Sequence, residues 1–248
     1  MRLDNKVSLL TDVESETGRV VVSAFAAAGA RVAGFCSAAK SAEIVAEIEG
    51  AGTRCLLVEG QPSNPDDAKR LVQETLDRFG QIDVLVNGGS THGRIVGTIF
   101  DITDEEYQSQ LDADVKAVIV LSRCVIPTMS KQRAGSIINV SSVAAPGVKG
   151  RAMRSLSKAA MNALTCAMAL DHGPDGIRVN ALLLGPTLSQ QWRNNPEQLQ
   201  VLESEAALKH LHTSQDVASA LLFLASDDSA SITGALLPLD AGRSLAQH

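Results

Sequence analysis

Ile137-Ile138-Asn139-Val140-Ser141-Ser142 is followed, after a short glycine-containing passage, by Arg154-Ser155-Leu156-Ser157-Lys158 and a run of small and apolar residues to about His172. The first segment is a short, nearly continuous apolar run, as expected of a strand buried on both faces. The second has the length and composition of a helix. A strand feeding a helix in this way is one unit of a βαβ fold, and the same alternation extends in both directions.

On the N-terminal side, Val7 to Thr11 precedes a helical Arg19 to Ala28, Arg31 to Cys36 precedes Ala42 to Glu49, and Arg54 to Glu59 precedes Pro65 to Phe79. Ile82 to Asn87 then leads into a long helical region from Asp104 to about Met129. On the C-terminal side lie strand-like Ile177 to Leu183, helical Ser214 to Ala225 and strand-like Ala235 to Leu239. The pattern predicts one Rossmann-like α/β domain over 1–248, a doubly wound sheet of seven parallel strands with helices on both faces. Residues 187–212 break the alternation with Gln190-Gln191-Trp192-Arg193-Asn194-Asn195-Pro196 and a helical Glu197 to Leu208. Their place after the sixth strand makes them a lid over the crevice at the strand C-termini.

A chain of 248 residues, 45% hydrophobic, is long enough for one such domain. A net charge of -6, without long basic runs, gives no electrostatic reason to expect nucleic acid or an anionic membrane. No apolar run approaches the roughly 20 residues of a membrane span, and the charged first residues do not resemble a signal peptide, so a cytoplasmic protein is expected. Cys36, Cys55, Cys124 and Cys166 are widely spaced and read as reduced, structural thiols, and the histidines show no metal-site spacing.

The segments Phe79 to Asn87, Ile137 to Ser142, Gly176 to Ala181, Ser231 to Ala235 and Pro238 to Gly242 resemble, in order and spacing, those of the short-chain dehydrogenase/reductase family. The resemblance runs from Lys6 to Gly242 and implies a nicotinamide dinucleotide site and an Asn, Ser, Tyr, Lys catalytic group. The matching positions here are Asp114, Ser142, Arg154 and Lys158. Arginine stays protonated and cannot exchange the proton that the family's tyrosine moves. The chain's one tyrosine, Tyr107, stands where the family commonly has an aromatic packing residue.

The family's glycine-rich turn T-G-x-x-x-G-x-G reads Thr11-Asp12-Val13-Glu14-Ser15-Glu16-Thr17-Gly18, so Asp12 and Glu16 replace two glycines and only Gly18 remains. A carboxylate about 4 Å from a phosphate charge costs on the order of 4 kcal/mol at an effective dielectric of about 20. Asp12, Ser15 and Glu16 are expected to cap the first helix instead. The ribose-binding position after the second strand reads Cys36-Ser37, the adenine aspartate is Gln61, and the N-N-A-G turn reads Asn87-Gly88-Gly89-Ser90.

These departures lead to the expectation of no cofactor in this chain. NAD(P) would be confined to an active family paralogue with which it pairs, in a heterodimer or heterotetramer, as a degenerate, non-catalytic subunit. The small and apolar residues around the helix after Arg154 would form the interface. Two alternatives stand beside it. One is a cofactor-independent enzyme of lyase or hydratase type, using Arg154, Lys158, Ser142 and His92 or Asp114. The other is an atypical NAD(P)-dependent oxidoreductase. Bland roles are expected for two survivors: Ser142 as a strand-end serine bonded to backbone, and Lys158 paired with a carboxylate such as Asp114.

Overall fold

A computed structural model describes residues 2–50, 52–88 and 96–247. Its seven strands are β1 (Val7–Leu10), β2 (Arg31–Phe35), β3 (Cys55–Val58), β4 (Val84–Asn87), β5 (Gly135–Ser142), β6 (Ile177–Leu184) and β7 (Leu236–Leu239). All pair in parallel in the order β3-β2-β1-β4-β5-β6-β7. The order reverses between β1 and β4, which opens a crevice at their C-terminal ends, the usual ligand position in sheets of this kind.

Nine α-helices are described: α1 (Glu16–Ala27), α2 (Ala38–Gly50), α3 (Pro65–Phe79), α4 (Asp104–Leu111), α5 (Ala117–Gln132), α6 (Ala152–His172), α7 (Gln190–Arg193), α8 (Pro196–Glu205) and α9 (Ser214–Ala225). Local chemistry sets their ends. Asn64 caps α3 through the amides of Asp66 and Asp67, Pro65 takes the first turn, and Gly80 closes it at φ 80°. Thr213 and Asp216 form a capping box on α9.

Each sheet face carries its own core. Val21, Phe25, Ile44, Ile48, Leu221 and Leu224 cover one face from α1, α2 and α9. Leu71, Leu121, Val125, Met129 and Met168 cover the other from α3, α5 and α6. Each fully buried Leu or Phe contributes about 1.5–3 kcal/mol through removal of apolar area from water. No helix of the described residues is long and apolar enough to cross a membrane.

The long helical region after β4 contains a break that periodicity did not reveal. Between α4 and α5 the backbone widens into a π-helical turn, Asp112–Lys116. Such turns admit an extra residue and re-aim a side chain, and here the buried residue is Asp114. The 187–212 segment holds α7 and α8, with Leu188 bridged to Thr213 at its base.

Candidate functional site

Asp114 and Lys158 meet in the protein interior, beside β5. Lys158 Nζ lies 3.0 Å from Asp114 Oδ1, with side-chain exposures of 2% and 0%. The ammonium also donates to the Val140 carbonyl at 3.3 Å and contacts Met161 Sδ at 3.3 Å. Its three N–H groups therefore all have partners inside the protein. The other carboxylate oxygen, Asp114 Oδ2, accepts from Ser157 Oγ at 2.7 Å and Gln110 Nε2 at 2.6 Å. Burial holds the Lys158 pKa below that of a free lysine, against the opposing pull of Asp114.

The pairing of Lys158 with Asp114 is the one expected from sequence. Gln110 and Ser157 were not anticipated. Their only sequence signals are that Gln110 precedes Asp114 by one helical turn and that Ser157 adjoins Lys158. The engaged ammonium also removes Lys158 as an anion ligand in the cofactor-independent alternative.

Ser142 ends β5. Its hydroxyl donates to the Leu184 carbonyl at 3.2 Å and accepts from the Ala144 amide at 3.2 Å, the strand-end role expected of it. Arg154 lies in the first turn of α6, half-buried, and burial lowers its pKa from the usual arginine value. Tyr107 is 44% exposed in α4. His92 lies outside the described residues, as do Gly89 and Ser90 of the turn after β4.

At the turn after β1, Ser15 is the N-cap of α1 and accepts from the Gly18 amide at 2.9 Å. Asp12 holds that cap, with its carboxylate bonded to Ser15 Oγ at 2.7 Å. Glu16 instead accepts from the Gln190 amide at 3.4 Å, which ties the 187–212 segment to α1. Glu14 accepts from the Ser37 amide at the end of β2, and this bond lowers its pKa. Cys36 is a buried thiol pushed up to about 11 by burial, and the Gln61 amide donates to Asp67 at 3.0 Å.

The backbone of this turn is tightly packed on itself and on the turn after β4. A Cβ on Gly18 would sit 2.4 Å from the Asp12 carbonyl oxygen, and one on Gly88 would sit 2.5 Å from Asp12 Cβ. Thr11 Oγ1 accepts from the Gly88 amide at 2.7 Å, closing β1 onto the turn after β4. Asn87 reaches Asn139 at 2.8 Å, and its Oδ1 is buried without a partner. The turns after β1 and β4 thus pack directly on each other at the crevice, with the carboxylates of Asp12, Glu14 and Glu16 around the first of them.

Fold and crevice together define a Rossmann-type protein built on a single doubly wound sheet. The chain belongs to the short-chain dehydrogenase/reductase family, since residues 14–244 match the family model described as Enoyl-(Acyl carrier protein) reductase. It is 31% identical to the meso-2,3-butanediol dehydrogenase of Serratia marcescens, over 98% of this chain and 96% of that protein. It is 32% identical to the 3-oxoacyl-[acyl-carrier-protein] reductase of Thermotoga maritima, over 98% and 99% of the two chains. An NAD+-bound xylitol dehydrogenase shares the fold at a TM-score of 0.89, 24% identical over 98% of this chain and 100% of its own.

These relationships overturn two expectations. The non-catalytic, degenerate subunit gives way because whole-length relatives are named dehydrogenases and reductases. The expected lack of a cofactor falls with it, since the matched family and its whole-length relatives are named reductases and dehydrogenases and a structure of the same fold holds NAD+. The physical reason lies at Asp12, Glu16, Gly18, Cys36, Gln61 and Asn87, the positions taken as lost for a cofactor, of which Gly18 and Asn87 keep the family residue. The carboxylates of this turn are bonded to groups of the chain itself, Asp12 to the Ser15 cap as expected, but Glu16 to the Gln190 amide and Glu14 to the Ser37 amide.

Proposed function

We propose that this chain is an atypical NAD(P)-dependent oxidoreductase that interconverts a carbonyl and an alcohol. The observation that carries the reading is the tight Thr11 to Gly18 turn at the sheet's reversal point, where Gly18 leaves no room for a side chain against Asp12. Dehydrogenase and reductase relatives matched along the whole chain support it.

When bound, the cofactor supplies or accepts a hydride. The turn and the N-terminus of α1 would hold its pyrophosphate, and Ser37 and Gln61 would border its adenosine half. Ser142 is the hydroxyl nearest in role to the reacting oxygen, and its 3.2 Å bond to the Leu184 carbonyl is long enough to exchange for one to substrate. Arg154 presents a fixed positive charge to the oxygen that becomes negative. Since arginine keeps its proton, protonation of that oxygen falls to water. Lys158 and Asp114 act as positioning residues that anchor α6 to the π-helical turn.

Titration of the purified chain with NADH and NADPH, followed by cofactor fluorescence, tests this directly. Saturable binding of either, with turnover on a carbonyl panel, is the expected result. Absence of both at millimolar cofactor would refute the reading.

The proposal includes a cytoplasmic location, in keeping with four free cysteines, and association with another subunit of the family through α6. Leu156 and Leu170 on that helix are 46% and 80% exposed, which supports a covered face. Light scattering of the chain alone and co-expressed with a family paralogue measures the association, and a monomer in both cases would exclude it.

A further inference from the structure

Set against the family pattern, this site has gained one cation, Arg154, and one anion, Asp114. The two attract through space but form no direct ion pair. Asp114 is saturated by Lys158, Ser157 and Gln110, with both carboxylate oxygens engaged at 3.0 Å or less. Among the described residues Arg154 forms no ion pair and no side-chain hydrogen bond. Arg151, at the N-cap of α6 and one turn earlier, forms no ion pair either and adds a like charge.

A half-buried guanidinium with no anion of its own is costly, because it has given up part of its hydration without an ionic partner. Burial pushes its pKa down, Asp114 opposes this through space without touching it, and Arg151 adds to the lowering. The missing partner is an anion from outside the chain. A guanidinium offers a planar fork of donors that matches a carboxylate in a bidentate manner, a match that a lysine cannot reproduce.

We infer that Arg154 is a substrate-selecting residue, and that the substrate is an oxo or hydroxy acid whose carboxylate, close to the reacting carbon, is held by its guanidinium. This rests on the oxidoreductase reading for the word substrate. The anion site itself rests only on Arg154, Arg151 and the saturated Asp114. It explains why the position carries arginine and not another residue without an exchangeable proton.

The test is a binding comparison on the full chain without cofactor. Isothermal calorimetry with 2-oxobutanoate and 3-oxobutanoate is set against their methyl esters. At least one acid should bind tenfold or more tighter than its ester. Arg154→Met should lose tenfold or more of that affinity, and Arg154→Lys should retain part of it. Equal binding of acid and ester by the wild-type chain would overturn the inference without recourse to any variant, as would unchanged acid binding by a folded Arg154→Met protein. Acid binding in a chain that binds neither NADH nor NADPH would leave the anion site standing and refute the oxidoreductase reading. Cofactor binding without acid preference would do the reverse.

Discussion

Lys158 Nζ lies 3.0 Å from Asp114 Oδ1, and neither side chain reaches solvent. The contact joins the first half of α6 to the π-helical turn between α4 and α5. It also leaves Lys158 with no donor free for a ligand in the crevice.

Breaking this pair from one side should be costly. Asp114→Ala strands a buried ammonium, so urea unfolding should show a loss of about 3–5 kcal/mol. Replacing both partners, Asp114→Leu with Lys158→Met, should recover part of that loss. Recovery stays incomplete because Gln110 Nε2 and Ser157 Oγ also lose their acceptor.

The turn after β1 predicts weak cofactor affinity that can be improved. Asp12→Gly and Glu16→Gly should each tighten NADH binding about tenfold, which corresponds to about 1.4 kcal/mol, by removing a negative charge beside the pyrophosphate position. Glu16→Gly should also loosen the 187–212 segment, since the Gln190 amide loses its acceptor. Fluorescence titration gives the first effect and limited proteolysis within 187–212 the second.

Restoring a proton donor should require two changes. Arg154→Tyr introduces a phenol, but Lys158 stays bound to Asp114 and cannot lower the phenol pKa. Arg154→Tyr with Asp114→Asn frees the ammonium. Reduction of a neutral diketone by the double variant should exceed that of either single variant by about 10²-fold or more, within the usual contribution of general acid catalysis. Additive effects in kcat/KM would show that the ion pair does not restrain Lys158.

The base of the 187–212 segment should respond to acid through His212, which is buried and bonded through Nε2 to Thr187 Oγ1 at 2.9 Å. Its Nδ1 is buried without a partner. Burial lowers its pKa from 6.5, with Asp216 and Asp240 opposing and His210 adding to the shift. Between the folded pKa and 6.5 the unfolded chain binds the extra proton, so this contribution to stability is fully present above pH 6.5. It is lost as pH falls from there through the folded value. Urea midpoints measured from pH 8 to 5 should fall in that window for the wild type, and the fall should shrink in His212→Gln.

The sequence by itself determined the sheet. Continuous apolar runs such as Val84 to Asn87 and Ile137 to Val140 are legible because strand burial on both faces is a local, periodic property. The ends of α3 are legible because Asn64, Pro65 and Gly80 act within a turn of their own positions. The site was legible as a set of positions and not as a set of contacts. That Asp114 and Lys158 pair could be expected from charge, but the π-helical turn that carries Asp114 inward, and the Val140 and Met161 contacts that use up the ammonium, join segments distant in sequence. The same holds for the turn at Asp12 to Gly18. Its composition shows three carboxylates near a phosphate position, and only the tertiary structure decides that Glu14 turns to Ser37 and Glu16 to Gln190. A charge count has no direction, whereas a hydrogen bond does, and directions are fixed only when the layers of the fold close on one another.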